Sequence, residues 1–178
     1  MKKMIALALC LVMSSFALTG CTGESEPFEE KSYTPDSQIK EINLDVRDRE
    51  ITVTQSEDDQ VHIQYAENSK EYYDISVSDG AVLSMESASS KEWTDYIGGK
   101  PSAEARKIVL QIPDTSLVNL SISTTNEDVL LAELAVTGDI TVSCNGGNIS
   151  FERLNIGNAL SLTVKNGDIS WTVLGSYN

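Results

Sequence analysis

Broken at Leu120, Ile140 and Leu160, residues 120–174 read LSISTTNEDVLLAELAVTGD, ITVSCNGGNISFERLNIGNA and LSLTVKNGDISWTVL. In this frame of 20 residues the apolar positions fall into columns. Ile122, Val142 and Leu162 align, as do Val129, Ile149 and Ile169, then Leu131, Phe151 and Trp171, then Leu134, Leu154 and Leu174. The register never slips. A fixed period of this size marks units that cannot bury their own apolar face and must borrow a neighbour's. The spacing predicts an all-β chain, a β-solenoid of the parallel β-helix type with 20-residue rungs.

Turn chemistry agrees. Each unit carries two short runs of alternating residues around a bend: Asn126-Glu127-Asp128, Asn145-Gly146-Gly147-Asn148, and Asn166-Gly167-Asp168. Asn and Gly suit tight bends because they tolerate left-handed backbone conformations. No helical periodicity of useful length follows residue 20, so helix should be nearly absent. Leu131, Phe151 and Trp171 predict a stacked apolar ladder.

Upstream, Ile42, Leu44, Val46, Ile51 and Val53 reproduce the offsets of Leu120, Ile122, Thr124, Val129 and Leu131, so a first rung is legible 78 residues earlier. An N-terminal hairpin region follows it. Val61, Ile63 and Tyr65 read as the return strand of a hairpin after the polar turn 56–60, and Asp79-Gly80 reads as a two-residue hairpin turn. Residues 87–106 form the longest irregular stretch, with Trp93 and Tyr96 as candidate ligand-contact side chains beside Gly98-Gly99. Trp93 serves equally as a plug for an open solenoid end.

The N-terminus is of a different kind. Lys2 and Lys3 precede an apolar run, Met4 to Met13, and a stretch of mostly small residues ends at Cys21. This is the pattern of an export signal over residues 1–20, and its apolar run falls short of the about 20 residues a membrane-spanning helix needs. Leu18, Thr19, Gly20 and Cys21 resemble the lipobox of bacterial lipoproteins, in which the first three are recognised by the signal peptidase and the cysteine is lipidated. Residues 21–38, rich in Glu, Ser, Pro and Thr, are expected to form a flexible acidic tether. The solenoid domain then spans 39–178. The next rung would begin near position 180, so the C-terminal face is expected either to lack a capping rung or to lie exposed for self-association.

Charge and cysteine content bound the function. The chain has 27 acidic and 13 basic residues, and loss of Lys2 and Lys3 with the signal leaves 11 basic, 16 negative net. Such a surface repels nucleic acid, so no nucleic-acid partner is expected. Cys10 belongs to the signal and Cys21 to the anchor, which leaves Cys144 unpaired and, by its column with Thr124 and Val164, pointing inward as a small hydrophobe.

The opening Ile42-Asn43-Leu44-Asp45-Val46, the strand ending Val109-Leu110-Gln111-Ile112-Pro113, and the motif Lys165-Asn166-Gly167-Asp168-Ile169 together resemble the bacterial β-strand-repeat lipoproteins known as putative adhesins, a family of unknown molecular function. The resemblance runs from about Ile39 to Asn178. It implies an envelope-facing β-solenoid without assigned catalytic residues.

Asp128, Asn148 and Asp168 share a column at a rung spacing of about 4.8 Å, which invites a hard cation. Calcium wants about six to eight oxygens, however, and one side chain per rung supplies too few, so no metal and no cofactor are expected. His62, the only histidine, alternates onto the polar side of its strand and reads as an exposed imidazole. No carboxylate pair is singled out by spacing for glycoside cleavage. The expected function is a non-catalytic lipoprotein, lipid-anchored at Cys21 on the extracytoplasmic face of the cell membrane, acting as an adhesion or envelope-interaction module toward a glycan or protein. The alternatives are an envelope-stress or regulatory lipoprotein binding a cationic ligand through its acidic face, and a carbohydrate-active β-helix enzyme.

Overall fold

The computed structural model describes residues 26–92, 100–113 and 117–171. Leu18, Thr19, Gly20, Cys21, Trp93, Tyr96 and Leu174 lie outside them. The described chain is all-β and solenoid-like, with a single turn of 3₁₀ helix at Glu104–Arg106.

The described strands, in chain order, are β1 (Glu29–Tyr33), β2 (Glu41–Asp45), β3 (Glu50–Gln55), β4 (His62–Glu67), β5 (Glu71–Val77), β6 (Val82–Ser89), β7 (Lys107–Ile112) and β8 (Asn119–Thr124). They continue with β9 (Val129–Leu131), β10 (Leu134–Val136), β11 (Ile140–Gly146), β12 (Ile149–Phe151), β13 (Leu154–Ile156), β14 (Leu160–Asn166) and β15 (Ile169–Trp171). They form a seven-stranded sheet in the order β1-β4-β7-β3-β9-β12-β15, a six-stranded sheet β14-β11-β8-β2-β6-β5, and the pair β10-β13.

The columns of the sequence are columns in space. Parallel pairing sets Leu120 beside Ile140 and Ile140 beside Leu160, while Val129, Ile149 and Ile169 stack in the other large sheet. Ile42 lies beside Leu120 and Ile51 beside Val129, so the segment 78 residues upstream is the adjacent layer. Alternation drives this arrangement, because every second side chain of a strand faces the same way and a one-residue slip would expose the whole apolar set. Each fully buried aliphatic contributes roughly 1.5–3 kcal/mol. Phe151 and Trp171 stack with rings 7° from parallel and centroids 6.4 Å apart.

The layer on the far side of β2 and β3 is built from later chain. β6 pairs in parallel with β2, and β7 with β3, so the insertion between residues 56 and 113 supplies one more layer. Antiparallel strands then turn both sheets over: β5 closes against β6, and β4 against β7, with β1 outermost.

Three expectations change here. The strand carrying Ile63 does not return along β3, because β7 and β9 occupy both edges of β3; alternation reports the face a strand buries but not its partner. The hairpin β5–β6 sits where Asp79-Gly80 placed it, yet the positive φ falls at Ala81 (61°), and Ala81 N–H donates to the Ser78 carbonyl at 3.0 Å. That is a tight turn followed by a left-handed residue rather than a two-residue loop. Finally, Glu29–Tyr33, expected within the tether, is a strand on the sheet edge. Backbone pairing to β4 needs no apolar side chains, and the Lys31–Glu67 ion pair at 2.6 Å ties the two strands.

Candidate interaction surface

The bends between strands are fastened from layer to layer. The Asp128 carboxylate accepts the Asn148 backbone N–H at 2.7 Å, and the Asn148 amide oxygen accepts the Asp168 N–H at 3.0 Å. A second ladder runs from Asn119 to the Asp139 N–H and from Asp139 to the Ala159 N–H, each at 3.0 Å. Thus Asp128 and Asn148, in the column that resembles a cation site, spend an oxygen each on the next layer's backbone. Asx residues at these bends act between layers, which the sequence pattern left unseen.

Two glycines are required by the same stacking. Gly147 has φ of 126°, and a Cβ there would meet the Glu127 carbonyl oxygen at 2.5 Å; at Gly167 the corresponding contact is with the Gly147 carbonyl. The preceding layers make their bend with Asp48 and Asn126, both at positive φ and joined by a 2.8 Å hydrogen bond from the Asn126 amide to the Asp48 carboxylate.

Cys144 is buried among aliphatics, as its column predicted, and its Sγ donates to the Glu127 carbonyl at 3.2 Å. Burial pushes its thiol pKa up, which suppresses the nucleophilic thiolate. It is a packing residue.

His62 is only partly exposed. Its Nδ1 lies 2.8 Å from Thr34 Oγ1 and its Nε2 2.9 Å from Asp58 Oδ1, a hydroxyl, imidazole and carboxylate in series. The His62 hydrogen bond, helped by the Gln60 backbone N–H and the Ser56 hydroxyl, holds the Asp58 carboxyl down to about 2. The order resembles a hydrolytic triad, but such an acid is buried, whereas Asp58 is 55% exposed and shares its oxygen with Ser56 and Gln60. The geometry makes a clasp holding the chain after β1 to the start of β4.

Sequence reasoning missed the main polar cluster. Arg49 is 4% exposed, donates to the Tyr73 hydroxyl at 2.5 Å and pairs with Glu71 at 3.0 Å, and Lys91 reaches Glu71 from the other side at 2.5 Å. Burial opposes the Arg49 charge, but Tyr73 and Glu71 outweigh it and raise its pKa. Burial also raises Tyr73. The one signal of this in the sequence is that Arg49 falls on the inward phase of the alternation continued by Ile51 and Val53.

An open cavity of about 310 Å³ lies beside the clasp, lined by the apolar Ile39, Val61 and Pro113 and by polar residues that include Asp36 and Asp59. Among the described residues no helix is long and apolar enough to cross a membrane.

Parallel strands stacked in register, with turn ladders and an inward apolar core, define a solenoid-like β-repeat protein. The chain belongs to the Toastrack DUF4097 family, whose model matches residues 39–175. No protein of curated function matches its sequence. Among solved structures it is similar to a "putative cell adhesion protein" of Clostridium sporogenes ATCC 15579, with 10% identity over 83% of this chain and 100% of that one, at a TM-score of 0.47. It is also similar to a "putative adhesin" of Parabacteroides distasonis ATCC 8503, with 14% identity over 83% of this chain and 70% of that one, at a TM-score of 0.37.

Proposed function

We propose that this protein is a non-catalytic lipoprotein, anchored through Cys21 on the extracytoplasmic face of the membrane, whose stacked 20-residue rungs act as an adhesion or envelope-interaction module. What supports this reading is the lipobox-like run Leu18-Thr19-Gly20-Cys21 ahead of a repeat domain whose buried and turn polar groups serve the stacking itself. The Asx oxygens clip neighbouring layers, Cys144 packs, and Arg49 is fully partnered. What is left for partners is the outer surface. Replacing Cys21 tests the anchor: Cys21→Ala should abolish incorporation of labelled fatty acid. The Cys21→Ala chain tests the interaction: it should co-sediment with washed cell envelopes, and failure to do so would remove the adhesion reading.

The cavity supports a second reading, in which a cationic ligand is held by Asp36 and Asp59. Ionic strength separates the two. Charge-driven capture weakens as salt rises toward a Debye length of about 8 Å, whereas hydrogen-bonded contacts hold. Self-association through the last described layer is part of the same proposal, and light scattering over a concentration series on the Cys21→Ala chain tests it.

A further inference from the structure

The outer face of the six-stranded sheet carries a pattern that neither the core nor the turn ladders require. Strand registers place Ser76 beside Ser84, Ser84 beside Asn43, Asn43 beside Ser121, Ser121 beside Thr141, and Thr141 beside Ser161. One uncharged hydrogen-bonding residue per strand thus forms a straight row across all six strands. At about 4.8 Å per strand the row is about 24 Å long. The five hydroxyls in it have no hydrogen-bond partner among the described residues, and Asn43 makes only a 3.4 Å contact to Glu41. They are the donors and acceptors the fold leaves unused.

The adjacent row is graded. Asp74, Glu86 and Asp45 are neighbours in register, and the row continues as Ser123, Ser143 and Thr163. Carboxylates directly opposite one another across strands cost stability, so three in succession are not explained by packing. The equivalent outward row of the other large sheet runs Ser32, Gln64, Val109, Thr52, Leu130, Ser150, Ser170, and Val109 and Leu130 interrupt its polar residues. Both rows are uncharged, but only that of the six-stranded sheet offers a hydrogen-bonding side chain on every strand from edge to edge and is flanked by carboxylates.

We infer that this row is the docking surface for an extended glycan strand, uncharged or amine-bearing, laid across the strands along the solenoid axis. The inference rests on the envelope-interaction reading and gives it a surface and a ligand class. Charge complementarity selects the occupant. An uncharged row matches the hydroxyl and amide groups that recur along a glycan, and the flanking carboxylates repel an anionic polymer while accepting amines. A polymer also suits an array in which each contact is weak and the repeats act together.

The test uses the Cys21→Ala chain and three soluble probes in calorimetric titration: an N-acetylglucosamine hexamer, its de-acetylated counterpart and oligogalacturonate. The first two should bind and the anionic one should not. The double change Ser121→Glu with Thr141→Glu should weaken binding at least tenfold, while Ser150→Glu with Ser170→Glu on the other sheet should leave it within twofold. Circular dichroism on each variant establishes that it is folded; should the first pair fail to fold, Thr141→Lys and Ser161→Lys, at more exposed positions, take its place. Equal weakening by both pairs, or preference for the anionic probe, overturns the inference. If no probe binds but envelopes are still sedimented, the surface is wrong and the interaction reading stands. If envelopes are not bound either, both fall.

Discussion

The two outermost described layers are built on opposite terms. At the β4 and β5 end, antiparallel strands replace parallel ones, and Arg49, Tyr73, Glu71 and Lys91 lock the corner beneath them. At the other end, β14 and β15 continue the parallel pattern to the last described layer, where Ile169 is 47% exposed and Trp171 67%, against 0% for Ile149 one layer in. The lesson is that a repeat's stability depends on having a neighbour on each side. Identical columns differ in worth according to the layer they occupy.

Substitutions should grade accordingly. The largest effect is expected for Arg49→Ala, which strands Glu71 and the Tyr73 hydroxyl beneath the closed end; about 3–5 kcal/mol should be lost in urea denaturation. Next, Ile51→Ala in the fully buried column should cost about 2–5 kcal/mol, while Ile169→Ala in the same column should cost less than about 1 kcal/mol. Equal costs at the two sites would erase the difference between the ends. Asp128→Ala removes the clip on the Asn148 N–H between two interior layers, and a loss of about 1 kcal/mol is expected; hydrogen exchange at Asn148 should accelerate with it.

The smallest effect concerns the clasp. The Asp58 carboxyl is held down to about 2, below the usual value of about 3.9. Its contribution to stability is therefore fully present above about pH 4 and is lost as pH falls through the folded value. In His62→Ala the Asp58 carboxyl should titrate closer to 4, read by NMR, with little change in the midpoint of urea unfolding at neutral pH.

Much of the architecture was legible because the strict period leaves no choice of register. The columns at Leu120, Val129 and Leu131, the extra layer at Ile42 and Ile51, and the inward Cys144 all follow from alternation plus a constant offset. What was not legible depends on partners distant in sequence with no periodic signature. β4 was given to β3 because nothing local announces that β7 takes that edge. Strand β1 was missed because an edge strand can be held by backbone bonds while its side chains look like those of a solvated tether. As for candidate sites, the sequence pointed to Trp93 and Tyr96, outside the described residues. The uncharged row emerges only when strands from three separate parts of the chain are set side by side.

That arrangement has a consequence for how the protein comes into being. Strands β2 and β3 lie inside their sheets, yet every neighbour they have is synthesised later: Ile42 pairs with Leu83 and Leu120, and Ile51 with Ile108 and Val129. A chain emerging N-terminus first cannot close these edges as it appears, and contacts so far apart in sequence form slowly. Each of the two first waits for β6 or β7, and its second edge stays open until the β8–β9 layer has been delivered. The interval between synthesis and closure is thus a period of vulnerability to proteases and aggregation, its length set by the insertion between β3 and β8.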